Sequence, residues 1–455
     1  MRQLLLLSSL IIALAAGGCA ASTGTGTLPR QYALTKSAQR FLRVPLGPNS
    51  IVPPAGGTSA QAKLCSQPAD RTRAACFATV RTDSAVSSIV SDLVSGLTPS
   101  DLSTLYAYPS PEAQGNAGSG QTVAIIVAGD YAAAESDLGV YRSHFGLPMC
   151  SSNNGCLRKI GAAAVSAASQ TGSTTSISAH PTTASAIGWA AETDADTEII
   201  SAVCPNCQII IAEAASDSLA DLGGAVTAAV NANASIINAS FGALETSADT
   251  RFSSIYGNSR HIKVVAAAGD WGFGVYYPAS DSNVVAVGGT SVSVSGSTVS
   301  ETAWSGTGSG CSANFGNPGW EHPPQISGEC QTRNVADISA DADPLSGVAI
   351  YDSSLTVTSN FGHFTYFGPN PNISGGWAIF GGTSISAPII TGMYALSGDT
   401  AKNQGAQSLY ASPSSAFLQI TSGSNGECSP KYLCTAMPGY NGPTGLGIPQ
   451  GLGGF

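Results

Sequence analysis

Charge is scarce in this chain. Only 10% of its 455 residues are Asp, Glu, Lys or Arg, less than half the roughly 25% usual in soluble domains. Eighteen basic residues face 28 acidic ones, for a formal net charge of −10. Nucleic-acid binding needs the opposite sign, so nucleic acid is excluded as a partner. A hydrophobic fraction of 43% excludes disorder throughout the chain. Histidine is also rare. None of the five (His144, His180, His261, His322, His363) has the Gly-rich or acidic neighbourhood expected of a catalytic base. No internal repeat is present. Carboxylates are few in total, so any cluster of them is informative.

Long apolar runs are missing too. The one at the start, Leu4 to Gly18 after Met1-Arg2-Gln3, is shorter than the ~20 residues a membrane-spanning helix needs. It has the form of a secretory signal. Its end, Ala15-Ala16-Gly17-Gly18-Cys19, resembles the lipobox of bacterial lipoproteins, which implies a lipid anchor at Cys19. Ordinary signal cleavage is the alternative. Setting Cys19 aside leaves ten of the eleven cysteines, an even number suited to an oxidising compartment. Neighbours along the chain suggest Cys65 with Cys76, Cys150 with Cys156, Cys204 with Cys207, Cys311 with Cys330, and Cys428 with Cys434. The expected location is exported: cell-envelope lipoprotein or extracellular.

Beyond the signal, residues 20–50 read as a tether. Residues 51–112 form a small segment with its own cysteine pair and a helix start at Thr98-Pro99-Ser100-Asp101. A Pro-, Gly- and Ser-rich loop at 109–120 marks the domain boundary, giving 1–19, 20–112 and 113–455. Past it, short β-branched runs (Thr122–Val127, Gln208–Ala212, Ser235–Asn238, Lys263–Ala267, Val284–Val287) alternate with Ala-rich helical stretches such as Leu219 to Asn231. Apolar strands separated by helices predict an α/β fold with a mostly parallel central sheet covered on both faces. Ligands then bind beyond the carboxyl ends of the strands.

Three short stretches carry chemistry. Gly381-Gly382-Thr383-Ser384-Ile385-Ser386-Ala387-Pro388 puts a serine after a glycine turn, at the start of an apolar helical segment. Unpaired N–H groups there lower the cost of negative charge on its oxygen. Glu192-Thr193-Asp194-Ala195-Asp196-Thr197-Glu198 places Glu192 and Asp196 on one helix face at i and i+4, which costs stability unless they share a proton or bind something. An EF-hand would need Gly at its sixth position and a carboxylate at its twelfth. Thr197 and Val203 stand there, so a calcium loop is excluded. Ala267-Ala268-Gly269-Asp270-Trp271-Gly272 ends a buried strand in an acid that can serve an Asx-turn or, if protonated, an oxyanion.

These three stretches, in this order, resemble the sedolisins, or serine-carboxyl peptidases. That family is similar to subtilisins in which histidine has been exchanged for glutamate. The resemblance covers about residues 113–455. Further landmarks are Ser201-Ala202-Val203-Cys204-Pro205, Tyr277-Pro278-Ala279-Ser280, Val287-Gly288-Gly289-Thr290, Glu301-Thr302-Ala303-Trp304-Ser305 and Gly445-Leu446-Gly447-Ile448-Pro449. It implies a subtilisin-like three-layer fold preceded by a short pro-segment. The implied activity is endopeptidase cleavage at acid pH through a Ser384 acyl-enzyme. Glu192 would be the base, Asp196 its proton-sharing partner and Asp270 the oxyanion donor. Asp194 and Glu198 are expected on the solvated face of the helix. Ser240-Phe241-Gly242 resembles the strand along which such enzymes lay a peptide. Protein or peptide substrates follow, with the chain acting as a monomer; self-cleavage near residues 105–120 in acid, abolished in Ser384→Ala, would separate such an enzyme from a binding protein.

The family's C-terminal calcium site is degraded here. Gln419-Ile420 and Gly439-Tyr440-Asn441 carry neutral amides where the family has aspartates, so calcium would bind weakly if at all. The competing class is a catalytically inactive envelope lipoprotein that uses the same scaffold for binding. A histidine-dependent serine peptidase is a third reading.

Overall fold

The computed structural model describes residues 30–31, 34, 61–81, 96–161, 176–177, 184–258, 260–295, 298–321, 330–355, 357–360, 363–366, 376–398 and 405–455. The signal, Cys19, His180 and His322 lie outside the described residues. In chain order the elements that frame the site are β1 (Gln61–Lys63), β2 (Ala75–Cys76), β3 (Thr79–Arg81), α1 (Pro99–Leu105), β4 (Thr122–Ala128), α2 (Ala134–His144), β5 (Leu157–Gly161), α3 (Ala184–Val203), β6 (Gln208–Ala214), α4 (Leu219–Asn231), β7 (Ile236–Ala239), β8 (Phe241–Leu244), β9 (Lys263–Ala267), β10 (Val284–Ser295), β11 (Thr298–Ala303), β12 (Ile338–Asp341), β13 (Val348–Tyr351), β14 (Trp377–Gly381) and α5 (Thr383–Ser397).

The central sheet runs β11–β10–β9–β7–β4–β6–β5, with β12 also on β10 and Arg30–Gln31 on the outer edge of β11. Every pairing from β5 through β10, and that of β12, is parallel; β11 and Arg30–Gln31 are antiparallel. Parallel strands must be covered on both faces, and their sequences say so: Val264 to Ala267 and Val284 to Val287 are fully buried. Helices α3 and α5 cross one face together and α4 packs elsewhere on the sheet. Gly392 lets α5 approach α3 closely, since a Cβ there would sit 2.7 Å from that of Val203. The strand runs read from the sequence match β4, β6, β7, β9 and the first part of β10. Helix α5 begins at Thr383, ahead of Pro388, which is therefore inside it.

Two local features brace the frame. Helix α1 opens on a reciprocal cap: Thr98 N–H donates to Asp101 Oδ2 at 3.0 Å, and Asp101 N–H to Thr98 Oγ1 at 3.3 Å. The cysteines pair as neighbours along the chain, in the five combinations expected. Deeper in, fully buried Arg333 grips Asp337 through two nitrogens at 2.6 and 2.5 Å and meets Glu321 at 3.0 Å. Asp337 in turn accepts the Ala286 N–H at 2.7 Å, which fixes the start of β10. Removing the guanidinium leaves two buried carboxylates unpaired. Arg333→Met is expected to lower stability by about 3–5 kcal/mol, read by urea denaturation at neutral pH.

Candidate active site

Two strand ends and one helix start converge on α3. Strand β7 runs directly into Ser240, β9 into Ala268-Gly269-Asp270, and β14 through Gly382 into α5. This is the crevice at the carboxyl ends of a parallel sheet. Gly382 has φ +93°, and a Cβ on it would lie 2.5 Å from Asp270 Oδ2. Only glycine can turn the chain there. Ser384, on the first turn of α5, is completely buried.

The structure brings together all four residues expected to be catalytic. Ser384 Oγ donates to Glu192 Oε2 at 2.7 Å and lies 3.1 Å from the Ser240 carbonyl oxygen. Asp196 Oδ1 accepts the Ser240 hydroxyl at 2.7 Å. That hydroxyl accepts from Asn238 Nδ2 at 2.9 Å, and Asn238 Oδ1 takes the Thr391 hydroxyl of α5 at 2.9 Å. Glu192 Oε1 and Asp196 Oδ2 meet no hydrogen-bond donor. Burial first, and then the Asp196 charge, drives the Glu192 carboxyl well above its usual range. Burial pushes Asp196 up to about 8. A pair of this kind keeps a proton between its members.

Asp270 is anchored from α5. Its Oδ1 accepts the Thr383 N–H at 2.8 Å and the Thr383 hydroxyl at 2.7 Å. Its Oδ2 accepts the Thr79 hydroxyl at 3.1 Å. Burial raises its pKa, while the Lys63 charge and the Thr383 and Thr79 hydrogen bonds act the other way. Lys63 Nζ donates to the Asp270 carbonyl oxygen and sits 5.0 Å from the centre of the Trp271 ring.

Residues 61–81, part of the expected pro-segment, enter this site. Strand β2 pairs antiparallel with β8, Cys76 opposite Phe241 and Ala75 opposite Gly242. Strand β3 pairs with β14, Val80 opposite Phe380 and Thr79 opposite Gly381. The segment therefore lies against Ser240-Phe241-Gly242, where a peptide was expected. Apart from its Cys pair it has no motif. Thr383 was within reach of inspection, because it adjoins the serine in Gly-Thr-Ser.

One expectation is corrected. Asp194 and Glu198 are not on a solvated face; both are fully buried. Carboxylate atoms of Asp137, Asp194 and Asp352 lie within 4.8 Å of one another. Asp137 Oδ2 accepts the Tyr131 hydroxyl at 2.7 Å and the Ser353 hydroxyl at 2.9 Å. Asp352 Oδ1 accepts from Ser354, and Glu198 Oε2 takes the Tyr351 N–H at 2.9 Å. Both Asp194 oxygens lack a donor. Burial pushes Asp194 and Glu198 well above the carboxylate range and Asp352 up to about 7. The sequence could not show this, because α2 and the loop after β13 supply the opposing acids and bury the Asp194 and Glu198 side of α3. Of the histidines, His144 packs on Phe145 and Trp377, and neither Ser384 contact involves one.

A parallel α/β sheet with a buried serine and acidic partners beyond its strand ends defines a subtilisin-like protein. Comparison agrees. A model of the subtilase family matches residues 160–416. Kumamolisin of Bacillus sp. (strain MN-32) is 28% identical over 389 residues, 78% of this chain and 62% of that protein. Sedolisin of Pseudomonas sp. (strain 101) is 31% identical over 199 residues, 40% of this chain and 29% of that one. The chain thus spans less than two thirds of these curated relatives. The solved structure of Pseudomonas sedolisin, a serine-carboxyl proteinase complexed with two molecules of pseudo-iodotyrostatin, shares the fold. Its TM-score is 0.58 at 24% identity, over 79% of this chain and 96% of that one. The chain belongs to the subtilase family, on its sedolisin branch.

The buried acids make a prediction about stability. Carboxyls whose folded-state pKa is raised bind protons more tightly folded than unfolded, so their contribution is complete below about pH 4. It is lost as pH climbs through the folded values, about 7 for Asp352 and about 8 for Asp196. Thermal melts of Ser384→Ala protein should show a higher midpoint near pH 4 than near pH 8. Asp352→Asn, which turns a donorless oxygen into an N–H, should raise the alkaline midpoint and leave the acid one nearly unchanged.

Proposed function

We propose that this chain is an exported, acid-active serine-carboxyl endopeptidase acting on proteins or peptides. The observation that carries the reading is the 2.7 Å contact between Ser384 Oγ and Glu192 Oε2. Glu192 takes the serine proton as Ser384 attacks the scissile carbonyl, then passes it to the leaving amine. Asp196 shares the pair's remaining proton and holds Glu192 in place. Protonated Asp270 donates to the oxyanion, together with the Ser384 N–H. Ionised Asp270 would repel that charge, so the rate falls as pH rises through its titration. The first of the two proton losses of the Glu192–Asp196 pair sets the acid limb, since Glu192 can act as a base only once the pair holds a single proton.

Export rests on the signal-like start, and the anchor at Cys19 belongs to the same proposal. Calcium has no part in it. The Gln419 side-chain oxygen accepts the Gly439 N–H at 3.0 Å, and Asn441 Nδ2 donates to the Ile420 carbonyl at 3.1 Å. Asn441 Oδ1 takes the Thr444 hydroxyl at 2.8 Å. Donors stand where a cation would need free oxygens, so these residues do not fit calcium. The filled catalytic positions also weigh against an inactive binding scaffold.

Hydrolysis of a denatured protein should peak in acid and vanish in Ser384→Ala, a loss of at least ~10⁴-fold. Glu192→Ala should be similarly inactive. Asp270→Asn should lose about 10²–10³-fold at the optimum yet keep what remains as pH rises, because an amide donates whatever the pH. A wild-type optimum at neutral or alkaline pH would refute the scheme.

A further inference from the structure

We propose that Phe77–Ala78 is the first bond this enzyme cuts, in its own chain, and that the pocket around Phe77 selects bulky aromatic residues on the acyl side of cleaved bonds. This rests on the serine-carboxyl reading above and adds to it which bond and which side chain.

The register puts Phe77 at the serine. Its N–H donates to the Ser240 carbonyl at 3.2 Å, the same oxygen that lies 3.1 Å from Ser384 Oγ. Its carbonyl oxygen lies against Gly382: a Cβ on that glycine would be 1.9 Å from it and 2.5 Å from Asp270 Oδ2. The carbonyl and the proposed oxyanion donor therefore meet at one glycine beside the start of α5. On the leaving side, Ala78 carries the nitrogen to which Glu192 must return a proton, and its N–H acts to lower the pKa of that carboxyl. Strand pairing continues on both sides of the bond, to β8 before it and to β14 after it. The chain thus runs through the cleft as an extended substrate does.

The Phe77 ring is 1% exposed. It meets Trp271 and Tyr276 edge-on, at centroid distances of 5.5 and 5.8 Å. Gly242 forms the floor, where a Cβ would fall 2.8 Å from the ring tip. A flat pocket with aromatic walls and a glycine base fits a six-membered ring; a small side chain would leave it unfilled. The Cys65–Cys76 disulfide closes the loop one residue before Phe77 and presents the bond already ordered.

The step balances. Ser384 Oγ bonds to the Phe77 carbonyl carbon and its proton moves to Glu192. The C–N bond breaks and that proton goes to the Ala78 nitrogen. Water then hydrolyses the Phe77–Ser384 ester, leaving a Phe77 carboxyl group and a free Ala78 amine. Leu105 and Tyr106 are fully buried, but residues 109–120 are for the most part exposed or half-buried, so a later cut there is compatible with a first cut at Phe77–Ala78.

The test is acid incubation of the full-length precursor, with N-termini mapped by mass spectrometry and hydrolysis of a denatured protein measured in parallel. The expected first new N-terminus is Ala78, absent in Ser384→Ala. Phe77→Tyr should be cut at wild-type rate and Phe77→Gly at least ~10-fold more slowly. Processed enzyme given synthetic peptides of residues 73–81 should show the same preference for Phe over Gly, which covers a precursor variant that fails to fold. A first cut elsewhere, or equal cleavage of the Phe and Gly peptides, overturns the inference while hydrolysis of the denatured protein upholds the peptidase. No hydrolysis of any substrate would sink both.

Discussion

Acidic side chains without water organise this molecule. Helix α3 carries Glu192, Asp194, Asp196 and Glu198, and not one is exposed. Ionised carboxylates in such a place would each cost several kcal/mol after relaxation, so they persist by holding protons, accepting hydrogen bonds or both. The same desolvation that keeps Glu192 and Asp196 partly protonated makes Glu192 a far stronger base than a carboxylate in water. Such a buried carboxylate can take a serine proton in place of histidine. The acid cluster around Asp194 extends the same economy of protons to the outer face of the helix.

Polar groups from remote parts of the chain hold that helix and its neighbours in register. Thr391 reaches Asn238, Asn238 reaches Ser240 and Ser240 reaches Asp196, linking α5 through β7 to α3. Thr383 does the equivalent work for Asp270. Neighbouring positions on α5 therefore carry Ser384 and anchor Asp270, so a shift of one displaces the other.

Much of this was legible in the residues. The order Glu192–Asp196, Asp270, Ser384 could be read because each stands in a short, composition-specific turn or helix face, and the β-branched runs announced a parallel sheet. What escaped reading depended on tertiary enclosure. A four-acid helix with two faces reads as half solvated unless one knows that Asp137 and Asp352 close over it. Residues 61–81 have only ordinary polar composition and a Cys pair, and their place beside β8 comes from backbone pairing, which is blind to side-chain identity. The amides at Gln419 and Asn441 were visible, but their mutual hydrogen bonds were not.

Glu192 and Ser384 meet across a sequence separation of 192 residues, and the sheet between them consists almost wholly of non-local parallel pairings. Assembly of such a topology is slow, because long loops must close before their contacts reward it. The contact between Ser384 and Glu192 consequently has no precursor in any partly made chain. A nascent or half-collapsed polypeptide carries the parts but cannot bring them together.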